Sequence, residues 1–131
     1  MAYVLDASAI IALVRNEKEA VRIVGNAIDN DRCYVTVPTL ATLYYSLYES
    51  EGEANAEHWL QYMASGVIVK IEPCADLATL RLVAQARMIV RLPLDSMFAA
   101  ALAKLKGIPV ITTLSDFEDV ATADFCQVRW L

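Results

Sequence analysis

The chain has 131 residues, 57% of them hydrophobic and 21% charged, with a formal net charge of −5. This length fits one domain with a core of its own, and the apolar richness excludes an intrinsically disordered chain. The acidity, with an isoelectric point near 4.7, excludes a protein that holds nucleic acid by overall positive charge, but it permits a local basic patch.

Tyr3-Val4-Leu5 is a short continuous apolar run, the mark of a strand covered on both faces in a parallel sheet. Residues 7–15 and 18–29 read as helices, the second with Val21, Val24 and Ile28 on one buried face. A second strand is expected over 34–37, and Pro38 opens a helix over 38–50 with the apolar stripe Leu40, Leu43 and Leu47. Tyr44, Tyr45 and Tyr48 lie beside that stripe, either in the core or on a contact surface for a partner. Another helix follows over 53–64, stopped by Gly66, and a third strand over 67–71 is closed by Pro73. Asp76 caps a helix whose buried face is expected to be Leu77, Leu80, Ala84 and Met88. Asp95 precedes a helix carrying Phe98, Leu102 and Leu105, ended by Gly107 and Pro109, and strands follow over 110–112 and 127–130. Strands alternating with helices imply a three-layer α/β/α domain around a mostly parallel sheet of four to five strands, one domain over 1–131.

Several chemistries have no residues to carry them. The longest apolar runs, such as 97–103, fall far short of the ~18 residues of a membrane span. Asp6 interrupts the apolar start and no basic residue precedes it, unlike a signal peptide. Cys33, Cys74 and Cys126 are odd in number and form no C-x-x-C pair, so neither a zinc site nor a disulfide framework is expected, which fits a reducing cytoplasm. His58 is the only histidine and lies in a polar helical context, leaving histidine-based catalysis without a second imidazole.

In open parallel sheets, sites form at the carboxyl ends of strands. There the sequence places Asp6, the stretch 36–42, Asp95 at a helix start, and the stretch 113–119. Asp6 and Asp95 each open a helix, so each is either an N-cap or one of a group of carboxylates around a hard cation such as Mg²⁺ or Mn²⁺.

Four segments carry a family resemblance. Val4-Leu5-Asp6-Ala7-Ser8-Ala9 resembles the opening motif of PIN-domain proteins, the fold of VapC-type toxin ribonucleases. Thr36-Val37-Pro38-Thr39-Leu40-Ala41-Thr42-Leu43 resembles the second motif, in which the Thr42 position normally holds Glu. The segment Leu94-Asp95-Ser96-Met97-Phe98-Ala99-Ala100-Ala101-Leu102-Ala103 resembles the third, an Asp starting a helix of small residues. Ile111-Thr112-Thr113-Leu114-Ser115-Asp116-Phe117 resembles the last, in which Leu114 takes the place of the first Asp. Four motifs in order and at the right intervals span the chain.

The resemblance implies metal-dependent hydrolysis of RNA phosphodiester bonds, with Asp6, Asp95 and Asp116 as catalytic, metal-binding acids and Mg²⁺ or Mn²⁺ as cofactor. Ser115-Asp116-Phe117-Glu118 also reads as a capping box, and Glu118 and Asp119 are further candidates for the missing ligand. Ser8, Thr42 and Thr113 are expected around the ligands, and Arg15 and Arg91 are expected to border an RNA groove. Two acids of the family's four are replaced, so metal binding and cleavage are expected to be weakened; a non-catalytic PIN-like RNA- or protein-binding regulatory subunit is the alternative. The family further implies a homodimer and, for toxin members, a small antitoxin partner.

Overall fold

The apolar runs become five strands: β1 (Ala2–Leu5), β2 (Arg32–Thr36), β3 (Lys70–Glu72), β4 (Val110–Thr112) and β5 (Val128–Trp130). In a computed structural model describing all 131 residues they form one sheet, ordered β3-β2-β1-β4-β5. Every neighbouring pair is parallel; Val4 of β1 lies between Tyr34 of β2 and Val110 of β4. Parallel pairs need crossovers. These are supplied by α1 (Ala7–Val14), α2 (Lys18–Ala20), α3 (Asn26–Asn30), α4 (Val37–Glu51), α5 (Glu53–Ala64), α6 (Leu77–Ile89), α7 (Leu94–Lys106) and α8 (Phe117–Thr122).

Alternation along β1 divides the interior in two. Leu5 joins Ile10, Val24, Val35, Leu43, Leu47 and Met63 in one core beneath α1 to α5. Val4 points the other way and joins Tyr34, Ala99, Leu102, Val110 and Phe117 beneath α6 to α8. Successive strand residues face opposite sides, and right-handed crossovers place helices on both faces when the chain reverses its direction across the sheet. The three-layer α/β/α architecture expected from the sequence is therefore present, with all five strands parallel.

Local signals account for the helix ends. The Thr36 hydroxyl accepts from the Thr39 amide at 3.1 Å with Pro38 in the first turn, and the Asp76 carboxylate accepts from the Thr79 amide at 3.1 Å. Gly107 ends α7 in the left-handed conformation at φ 65°, which glycine adopts without a Cβ penalty.

Three expectations change. β3 begins at Lys70 rather than 67; Val67 is 86% exposed and lies outside the ladder, just after Gly66 at φ 73°. A π turn, Val21–Gly25, joins α2 to α3, and the altered period leaves Val21 exposed while Val24 and Ala27 stay buried. In α6 the stripe Leu77, Leu80, Ala84 and Met88 faces solvent, with Met88 85% exposed. The packed face is instead Thr79, Leu82, Val83 and Ala86, against α7. This helix is apolar around most of its circumference, so period alone could not choose the side that meets α7.

Of the three tyrosines, Tyr45 and Tyr48 are exposed, while half-buried Tyr44 donates to Glu57 Oε1 at 2.8 Å. The exposed His58 stacks on Tyr62 with ring centroids 6.4 Å apart. No helix is long and apolar enough to cross a membrane.

Candidate functional site

The chain leaves β1 for β2 on one side and later returns to β4 on the other, so the carboxyl ends of β1 and β4 form the switch point of the sheet. Asp6 follows directly on β1 and is wholly buried. It occupies the N-cap position of α1 but makes no side-chain cap bond. Its carboxylate instead accepts three hydroxyl hydrogen bonds. Ser8 Oγ and Thr112 Oγ1 donate to Oδ2 at 2.7 and 3.0 Å, and Ser96 Oγ donates to Oδ1 at 2.9 Å. Asp6 thereby ties together β1, the end of β4 and the first turn of α7.

The hydroxyl oxygens are used as well. Ser8 Oγ accepts from the Thr113 amide at 3.1 Å and Thr112 Oγ1 from the Leu114 amide at 3.0 Å, fixing the chain that leaves β4. No buried side-chain polar atom is left without a partner, as a folded interior requires.

Asp95 lies in the first turn of α7, whose N-cap position is Pro93, and it too is buried. Loss of solvent is the main influence raising its carboxyl above the usual range, followed by the neighbouring Asp6 charge. Hydrogen bonds from its own backbone, the Thr42 side chain and the Ser96 backbone pull the other way. Neither Asp6 nor Asp95 has a salt-bridge partner; the ion pairs are Met1–Asp31, Arg22–Glu19 and Lys106–Glu72. Two buried carboxylates side by side without a basic partner repel each other, and a cation or proton relieves that repulsion.

The other expected residues divide between near and far. Thr42, on α4, lies beside Asp95. Thr113 contributes its backbone amide, through Ser8, while its side chain is exposed. Asp116 is exposed at the start of α8, with no side-chain cap bond, and the Glu118 amide goes to the Ser115 carbonyl at 2.9 Å, so the capping-box side-chain bond is absent. It does not join Asp6 and Asp95: no three acidic, histidine or cysteine side chains lie close enough to hold a metal ion together, and this applies equally to Glu118 and Asp119. Leu114 packs towards the core beneath α6 to α8. Arg15 is exposed at the far end of α1, about 12 Å along the helix axis from its start. Arg91 is exposed in the segment leading into α7.

Sequence reasoning passed over Ser96 and Thr112, the two donors that reach Asp6 from distant parts of the chain. Short hydroxyl residues next to an acid at a helix start and at a strand end were the available signal.

An acidic pair at the switch point of this topology defines a class of small α/β domains with carboxylates at the sheet's carboxyl edge. The sequence matches the PIN domain over residues 3–123, and the chain belongs to that family. Among solved structures, the fold is similar to that of VapBC2 from Rickettsia felis bound to a promoter DNA fragment, at a TM-score of 0.76 and 12% identity, covering 99% of this chain and 98% of that one. It is also similar to VapBC-5 of Mycobacterium tuberculosis, a toxin–antitoxin system, at 0.70 and 25% identity, covering 99% and 98%. A third is VapC20 of M. tuberculosis, a toxin that cleaves the sarcin–ricin loop, at 0.69 and 18% identity, covering 97% and 98%. No curated protein matches the sequence.

Proposed function

We propose that this chain is a VapC-type PIN ribonuclease that cleaves RNA with one divalent cation held by Asp6 and Asp95, more slowly than a four-acid centre. The observation that carries the reading is the buried carboxylate pair at the switch point with no basic partner. The donors around it are all oxygens, from Asp6, Asp95 and the neighbouring hydroxyls, which suits Mg²⁺ or Mn²⁺. Mg²⁺ commonly binds through one or two carboxylates, completing its shell with water and phosphate, so the residues fit one ion. A second has no ligands, with Thr42 and Leu114 where the family places acids.

When bound, such an ion supplies charge neutralisation at the scissile phosphate and a more acidic water. The chain's residues do the positioning. Ser8 and Thr112 hold Asp6 Oδ2, and Thr42 lies beside Asp95. Arg91, close in sequence to Asp95, is the side chain assigned to the RNA backbone; Arg15 would meet only a longer strand running along α1. The likeness to VapC20, a toxin that cleaves the sarcin–ricin loop, supports this substrate class. An antitoxin as partner is supported by the VapBC complexes of the same fold. Self-association as a homodimer is supported by the exposed apolar stripe of α6 and by the exposed Tyr45 and Tyr48 of α4.

The absence of a third acid favours one other reading, a PIN-like subunit that binds RNA or protein without cleaving. An RNA cleavage assay with Mg²⁺ or Mn²⁺ on the wild type, Asp6→Asn and Asp95→Asn separates them. Cleavage lost in both variants supports the enzyme; equal traces in all three refute it and leave the binding subunit.

A further inference from the structure

Ser96 is 1% exposed, in the first turn of α7. Its hydroxyl donates to Asp6 Oδ1 at 2.9 Å, across 90 positions of sequence, and it directly follows Asp95 in the chain. It therefore ties Asp6 to the turn that carries Asp95. Ser8 and Thr112 both donate to Oδ2, which fills that oxygen's two lone pairs. Oδ1 accepts only from Ser96 and so keeps one lone pair free. An ion held by Asp6 and Asp95 would have that lone pair to use, and the Ser96 hydrogen bond would leave it free.

We infer that Ser96 is the positioning residue of the candidate metal centre, orienting Asp6 Oδ1 from the first turn of α7, the turn that carries Asp95. The inference rests on the single-ion reading above. It also accounts for how a centre reduced to two acids keeps them in register. In a four-acid site further ligands share that task, whereas here a serine hydroxyl performs it.

The test is a Mn²⁺ titration of the full chain by calorimetry and electron paramagnetic resonance, with thermal melts in chelator run alongside. Ser96→Ala is expected to weaken Mn²⁺ binding about 10- to 100-fold, the usual effect of losing a hydrogen bond that orients a ligand. Ser96→Thr keeps the hydroxyl and is expected to bind within a few-fold of wild type. Equal Mn²⁺ affinity in wild type and Ser96→Ala, with only a lower metal-free Tm, makes Ser96 a structural residue and overturns the inference. So does a threonine variant as weak as the alanine one. A wild type that binds no Mn²⁺ overturns the single-ion reading itself, and the inference with it.

Discussion

Replacing Thr112 by valine isolates the hydroxyl network from packing, because the two side chains have nearly the same shape. Thr112 is wholly buried at the end of β4, so no water can replace what is lost. The donation to Asp6 Oδ2 at 3.0 Å and the acceptance from the Leu114 amide at 3.0 Å disappear, together with the 3.1 Å contact to Ser8 Oγ. A hydrogen bond to a charged group contributes roughly 1.5–3 kcal/mol and a neutral one about 1 kcal/mol. The expected destabilisation is therefore about 2–4 kcal/mol. With an unfolding entropy of roughly 2.1 cal/mol/K per residue, that lowers Tm by about 7–15 °C for a chain of this size. Urea and thermal unfolding in the presence of chelator measure it without any contribution from metal. A loss below about 0.5 kcal/mol, the range of ordinary surface substitutions, would refute the claim that Asp6 is held by this hydroxyl.

Asp95→Asn tests the carboxylate repulsion through pH. The carboxyl of Asp95 lies above its unfolded value in the fold, so the native state binds the proton more tightly and loses stability as pH rises through that interval. In chelator, Asp95→Asn should thus be more stable than wild type at neutral pH, with the advantage shrinking as pH falls from the raised native value to the ordinary carboxylate value; a constant difference across pH would contradict this. Thr42→Glu with Leu114→Asp restores the family's acids, and calorimetry should then find tighter Mn²⁺ binding with faster RNA cleavage, while unchanged affinity would mean these positions do not face the ion. Leu80→Glu on the exposed stripe of α6 should change monomer stability by less than about 0.5 kcal/mol, whereas Leu43→Ala, wholly buried, should cost about 2–5 kcal/mol in the same denaturation experiment.

How much of this was legible beforehand depended on the range of the forces involved. The order of strands and helices follows from short apolar runs and from the spacing of Leu40, Leu43 and Leu47, which are local properties. Asp76 capping α6 and Gly107 ending α7 are likewise written within a few residues. Asp6 and Asp95 stood out because each follows an apolar run. Which side of α6 turns inward was not legible, since apolar residues occupy both sides and only contact with α7 decides between them. The loss of Val21 from the buried face needed the π turn, which no local pattern announces.

By itself, then, the sequence determined a parallel α/β domain of the PIN family with two acids kept and two replaced. The tertiary structure decided how those acids are held. Folding brought Ser96 and Thr112 across 90 and 106 positions to Asp6, and it left Asp116 exposed on α8, apart from the pair. Hydrogen bonds and charge repulsion depend on separations of a few ångströms, and distance along the chain does not fix those.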